Sequence, residues 1–189
     1  MPLFGGSSHP PDPPPNLANL SVIDALVGDT VSVVAAGPDY SDLDFTVDRR
    51  DQLEAGQKIW YEITGPYREK RVRLEVIPGD ILEVRGWFDG RIVTLDEIAV
   101  TEDDLAAIDE RQNPSDFFDY DQKFWLFRWS REVGLFHRDQ ETGTGFYCWE
   151  FQEQGGDRFL QIRKYEGEPF AAYVLNKVNP GDVTVFRGK

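Results

Sequence analysis

The chain has 189 residues, 40% of them hydrophobic and 13% aromatic, which supplies a packed core and excludes a wholly disordered chain. Its 20 Lys and Arg stand against 34 Asp and Glu, a net charge of −14, so its field repels phosphate backbones and anionic lipid headgroups and disfavours nucleic acid as a partner. No apolar run is long enough for direct membrane insertion, and the single cysteine, Cys148, excludes an internal disulfide framework.

From the first residue, Met1 to Leu20 reads as a tail or linker, because the stretch GGSSHPPDPPPN removes backbone donors and holds the chain extended. Its start lacks the basic and hydrophobic regions of a signal peptide, so a cytoplasmic location is expected. A first β unit is then expected over 21–100. Val31 and Val33 alternate after the turn at Gly28-Asp29, and Phe45-Thr46-Val47 follows an acidic loop. Ile59, Tyr61 and Ile63 share one strand face, Gly65-Pro66-Tyr67 reads as a turn, and Val72, Leu74 and Val76 return. Beyond Pro78-Gly79-Asp80, the segments Ile81 to Phe88 and Arg91 to Val100 flank Asp89-Gly90, a dipeptide suited to a tight hairpin.

Residues 101–115 predict a helical connector. Thr101 and Asp104 have the spacing of a capping box, Leu105 and Ile108 form one apolar stripe, and Asn113-Pro114 ends it. A second β unit is expected over 116–189, and it echoes the first. IPGDILEVRG at 77–86 reappears as NPGDVTVFRG at 179–188, and an offset of 88 residues sets Tyr61-Glu62-Ile63 over Trp149-Glu150-Phe151 with no gap across the following turn. Phe45-Thr46-Val47 finds a counterpart in Trp125-Leu126-Phe127. The expected fold is mainly β, with two tandem small antiparallel β-barrel or sandwich units of SH3-like type joined by a short helix. Trp125, Trp129, Tyr147 and Trp149 supply much of the expected core, Tyr61 and Trp149 sit at equivalent inward positions, and Glu62 and Glu150 lie on the opposite face, solvated or paired.

The search for chemistry finds no catalytic set. Ser130, His137 and Asp139 have the residue types of a triad but lie in one short segment with no nucleophile elbow. Cys148 lacks a neighbouring base and reads as structural. Asp39, Asp42 and Asp44, and again Asp116, Asp119 and Asp121, form acidic loops that suit a polyamine or a divalent cation, although neither has EF-hand spacing and a solvated loop explains both. Arg68, Lys70, Arg71 and Arg73 form a basic cluster that suits a carboxylate-rich partner, or equally cross-strand pairing with nearby glutamates. No cofactor is expected.

Gly28-Asp29 with its alternating valines, together with the two Tyr/Trp-Glu-aliphatic strands and their returning partners, resembles an uncharacterised bacterial domain family that often occurs in tandem. Members are encoded beside phage-shock-type membrane-associated proteins and spermidine-synthase-like enzymes. The resemblance covers 27–76 and, less clearly, 124–188, and brings no catalytic residues with it. It implies an accessory role in a bacterial envelope-stress or polyamine-linked system. The duplicated hairpin and the missing catalytic set point to a non-enzymatic module whose tandem β units bind a protein partner. A small-ligand binder for polyamine or divalent cation is the alternative.

Overall fold

The computed structural model describes residues 20–137 and 143–188, and the side chain of Asp39 is not among the described groups. The expected tail over 1–19 and Asp139 therefore lie outside the described residues. In chain order the strands are β1 (Thr30–Val33), β2 (Leu43–Thr46), β3 (Arg49–Ala55), β4 (Lys58–Tyr67), β5 (Lys70–Ile77) and β6 (Glu83–Trp87). After the helix α1 (Glu102–Arg111) come β7 (Phe117–Tyr120), β8 (Lys123–His137), β9 (Thr144–Glu153), β10 (Arg158–Tyr165), β11 (Ala171–Val178) and β12 (Val183–Phe186). The protein is mainly β, as its alternation predicts.

The expected pair of separate small barrels is replaced by one. Strands run in the order β3-β4-β5-β6-β11-β10-β9-β8, and pairing of β3 with β8 closes them into an eight-stranded antiparallel barrel. Each half of the chain contributes a four-strand meander, and the seams join corresponding strands, β3 to β8 and β6 to β11. Closure removes the exposed edges that two small open units would each carry. Strand β8 is long enough to serve twice: its first residues pair with β7, its last with β3, and its other edge runs along β9. A separate three-stranded sheet, β12-β1-β2, joins the two ends of the chain.

Two layers cover the outside of the barrel. Ile63, Val72, Leu74 and Val76 pack under Val31, Val33, Leu43, Phe45 and Val185 of the three-stranded sheet. On the other side Trp125, Phe127, Trp149 and Phe151 pack under Leu105 and Ile108 of α1. Each large side chain buried this way stabilises by about 1.5–3 kcal/mol, an upper estimate. The capping box forms as expected, with Thr101 Oγ1 accepting from Asp104 N and Asp104 Oδ2 accepting from Thr101 N. Tyr61 and Trp149 thus face the flanking layers and not the lumen. Their surroundings also differ: the Arg50 guanidinium lies 4.0 Å above the Tyr61 ring, whereas Trp149 Nε1 donates to Leu105 O at 3.2 Å.

Two turn assignments are corrected. Gly65-Pro66-Tyr67 is strand, and the chain reverses at Arg68-Glu69 instead. Gly65 serves close approach: a Cβ there would stand 2.2 Å from Thr46 O and 2.5 Å from the Phe45 ring, where β2 crosses β4. Gly65→Ala is expected to cost about 1–3 kcal/mol in urea unfolding, because strand backbone cannot yield as a flexible side chain does. A cost near zero would show that the three-stranded sheet is not held against the barrel at this point.

Asp89-Gly90 does turn, with Gly90 at φ +70°, but no hairpin follows. The chain resumes along the same neighbour, Val93 bridging Ala172 of β11, and then curls. Trp87 Nε1 donates to Arg91 O, while Glu97 pairs with Arg91 and accepts from Thr94 N, giving the backbone local partners in place of a strand ladder.

Candidate functional site

Alternation along the barrel strands sends one set of side chains outward into the two apolar layers and the other set into the lumen. The lumen set is mixed, with a charged network beside an apolar cluster of Leu53, Val133, Leu135, Phe146 and Cys148. Arg163 on β10 donates from Nη1 to Glu62 Oε2 on β4 and from Nη2 to Glu75 Oε1 on β5, both at 2.8 Å. These strands are not neighbours in the sheet, so the contacts cross the interior. Arg85 on β6 donates from Nη1 to Glu150 Oε2 on β9 at 2.7 Å and from Nε to Glu83 Oε1 at 2.6 Å. Gln161 bridges the two groups, its Nε2 lying 3.0 Å from both Glu75 Oε2 and Glu150 Oε2.

Burial acts on each of these groups, and the neighbours decide the outcome. Desolvation pushes the Glu62 carboxyl up, but the Arg163 and Arg73 guanidiniums outweigh it and bring the pKa down to about 2. For Glu75 desolvation wins over Arg163, Arg73 and Arg85, and its pKa is raised. Arg73 lies 3.6 Å from Glu62 and 4.3 Å over the Tyr173 ring, and burial lowers its pKa. Cys148 also faces this interior, and burial raises its thiol, in keeping with a structural cysteine.

One end of the lumen opens into a cleft of about 700 Å³. Trp60 of β4 and Trp129 of β8 form its walls, 6.5 Å apart and edge to face, with Ile59, Ile77 and Pro78 beside them. Its floor is Glu75, Arg85, Glu150 and Gln161 of the network, and Trp129 Nε1 donates to Glu150 Oε1 at 3.0 Å. Lys58, Arg128 and Arg131 stand at its rim. A bulge in β8 between Phe127 and Trp129 makes the aromatic wall, since it turns the strand's inward set from the outer layer to the lumen.

Set against known proteins, the chain matches no family model, no curated protein sequence and no solved structure.

The residues singled out in the sequence mostly lie elsewhere. Asp42 accepts from Ala35 N at 3.1 Å, and Asp44 is exposed opposite Ser32 on β1. Asp116 pairs with Arg111 at 2.8 Å, Asp119 is on β7, and Asp121 sits in the β7–β8 turn, 3.7 Å from Arg158. Among the described residues no three His, Cys, Asp or Glu side chains gather as a metal site. The basic cluster is divided: Arg68 and Lys70 stay at the turn near the Tyr67 ring, Arg71 is held by Asp48 at 2.6 and 2.9 Å, and Arg73 is buried in the lumen. Arg73 is thereby withdrawn from any surface partner.

Ser130 and His137 occupy opposite faces of β8. Ser130 donates to Asp109 of α1, which also accepts from Tyr147 OH at 2.6 Å, while His137 Nδ1 lies 2.7 Å from Asp51 Oδ1 on the lumen side. Burial, then Asp109, pushes the Tyr147 phenol up to about 12, so this cluster fastens the helix to the barrel with its protons retained. Among the described residues no helix is long and apolar enough to cross a membrane.

The site residues that went unread are Trp60, Glu75, Arg85, Gln161 and Arg163. Their signal was present as charged or polar residues at every second position, in Arg71-x-Arg73-x-Glu75, Glu83-x-Arg85 and Gln161-x-Arg163. In an open sheet that pattern marks the solvated face, and only closure turns it into a lumen.

Proposed function

We propose that this is a non-enzymatic binding protein whose site is the open end of the barrel, taking a small organic ligand against the Trp60–Trp129 pair. One observation carries the reading: the cleft has aromatic walls and a floor whose polar atoms are already engaged with one another. Such a floor fixes the shape of the site and leaves no activated nucleophile or base aimed into it. The volume is that of an ordinary small-molecule pocket.

Titrating the protein with a library of small planar compounds, followed by the indole N–H signals of its five tryptophans in NMR, tests this. Ligands are expected to move the Trp60 and Trp129 signals and leave that of Trp125, buried on the outer face, in place. Trp60→Ala is expected to weaken a ligand so found by about tenfold or more, the loss of one aromatic wall. A library that moves neither signal would remove the proposal.

A role in a bacterial envelope-stress or polyamine-linked system, with a protein as partner, is a further part of the proposal and rests on the resemblance of the Gly28-Asp29 and Tyr/Trp-Glu-aliphatic segments alone. A second surface suits such a partner. Phe117 and Phe124, 5.3 Å apart and edge to face, are 54% and 46% exposed beside the free edge of β7. The acidic loops support a polyamine or cation less well, since Asp116 already has Arg111 and Asp42 is bound to backbone.

A further inference from the structure

We propose that the ligand of the barrel mouth is an aromatic anion, with its ring packed against the Trp60–Trp129 pair and its charged group at the rim. The inference deepens the reading of the mouth as a binding site and rests on it. Its basis is an imbalance between the acids and bases that line the cleft.

Every lining carboxylate is already engaged. Glu75 accepts from Arg163 and Gln161, Glu150 from Arg85, Gln161 and Trp129, and Glu83 from Arg85. The lining bases divide differently. Arg85 is engaged with Glu83 and Glu150, whereas Lys58, Arg128 and Arg131 have no carboxylate within ion-pair distance among the described residues. Arg128 has only neutral partners, Gln152 Oε1 at 2.9 Å and its neighbour's carbonyl. Arg131 sits 5.9 Å from the Trp129 ring centre and extends over Gly56 in the turn that leads to Lys58, so two uncompensated cations flank one wall of the cleft.

This arrangement differs from that of most arginines elsewhere in the molecule. The chain carries a net charge of −14, and elsewhere its arginines are commonly matched to acids, as in Arg49–Asp51, Arg71–Asp48, Arg91–Glu97, Arg111–Asp116, Arg158–Glu153 and Arg187–Asp29. Three bases without acid partners around one aromatic cleft make a local positive field where the background is negative. An anionic group placed there gains from all three, while a polyamine meets like charge at the entrance and spent carboxylates below. The aromatic surface of Trp60 and Trp129 favours a flat ring over a flexible chain as the apolar part.

Two dyes with the same ring system separate the possibilities. Anilinonaphthalene sulfonate carries an anionic group, and N-phenyl-1-naphthylamine is its neutral counterpart. With the full chain at about 0.15 M salt, the sulfonate is expected to bind about tenfold tighter than the neutral dye, both moving the Trp60 and Trp129 indole signals. In the Lys58→Gln/Arg131→Gln variant the gap is expected to shrink to about threefold or less through loss of sulfonate affinity, with neutral-dye affinity unchanged. The retained neutral-dye binding shows that the variant is folded. Equal affinity of the two dyes at the mouth would overturn the anion selectivity and leave the binding site standing, as would spermidine moving the same signals more tightly than the sulfonate. Failure of both dyes to move either indole would overturn the site itself.

Discussion

Replacing Arg163 with alanine is expected to destabilise the protein by about 3–5 kcal/mol in urea unfolding at pH 7, the usual cost of breaking a buried ion pair from one side. Arg163 is 2% exposed and is the shared partner of Glu62 and Glu75, which are 3% and 0% exposed. Truncation strands two carboxylates in the same interior, with Arg73 left as the nearest counter-charge at 3.6 Å from Glu62. Both carboxylates are buried, Glu62 keeping Arg73 and, at 3.8 Å, the half-exposed Arg49, and Glu75 keeping the Gln161 amide at the floor of the cleft. The intact network is worth far less than this loss suggests, since most of what the pairing gains is offset by burying the charges in the first place.

The pH dependence provides an independent check. Glu62 in the folded protein is held at about 2, below its ordinary value of 4.5. Its contribution to stability is therefore complete above 4.5 and is lost as the pH falls from there towards 2. Glu75 acts in the opposite sense: its raised pKa favours the folded state below the ordinary carboxylate value, and that contribution is lost as the pH rises through the folded pKa. Without Arg163 both carboxyls favour protonation, so acid relieves the variant, while Glu62 keeps its full contribution to the native protein down to about pH 4.5. The difference in stability is expected to narrow as the pH falls from 7 to about 4. A loss below about 1 kcal/mol, or one that does not change over that range, would show that the lumen is wet enough to solvate the stranded carboxylates.

How far the fold was legible follows from what side-chain period can and cannot encode. The period of two located the strands well, because alternation depends on each strand's own neighbours. Residues 158–165 lie 88 positions beyond 70–77, and both stretches are whole strands, β5 and β10. The turn between each pair obeyed no such rule. Tyr61 faces Val76, whereas Trp149 faces Ile162, so the two hairpins differ in register by two residues and preserve only which face is inward.

The repeated phrase was more misleading, since identical letters do different work in its two copies. Arg85 enters the ion network of the lumen and Gly86 lies beneath the Phe88 ring, which a Cβ would strike. Arg187 and Gly188 instead bond the buried carboxylate of Asp29, closing the chain end onto β1 through donors at 2.8 and 2.9 Å. The strand that replaces β6 in the second meander is β11, which is not part of the phrase at all. Barrel closure depends on pairing across residues such as Leu53 and Leu135, far apart in the chain, and a local pattern carries no record of such contacts. For that reason the charged face of each strand read as solvent and the candidate site went unseen.

Trp125→Ala is expected to cost about 3–5 kcal/mol and to release β7 from the sheet. The indole is completely buried on the outer face of β8, among Phe127, Phe151 and the underside of α1, so its removal leaves a cavity that rigid strands on either side cannot fill. It also anchors the hairpin. Trp125 Nε1 donates to Tyr120 O at 3.1 Å, just before a turn in which Asp121 and Gln122 both adopt positive φ, 54° and 58°. Neither is a glycine, so the turn is disfavoured on its own and the packing of Trp125 under Tyr120 and Arg158 must hold it closed. Among the described residues, strand β7 has no other neighbour in the sheet.

Urea unfolding measures the first effect and amide hydrogen exchange at Phe117 to Tyr120 the second. Trp125→Phe is expected to fall between wild type and alanine, because it restores most of the packing and leaves Tyr120 O without its donor. The barrel mouth lies on the other side of β8, so the Trp60 and Trp129 indole signals are expected to keep their positions in both variants. If the alanine variant instead loses less than about 1.5 kcal/mol, or protects β7 as well as the native chain does, then the hairpin is held by its backbone ladder and the aromatic layer beneath α1 is not its anchor.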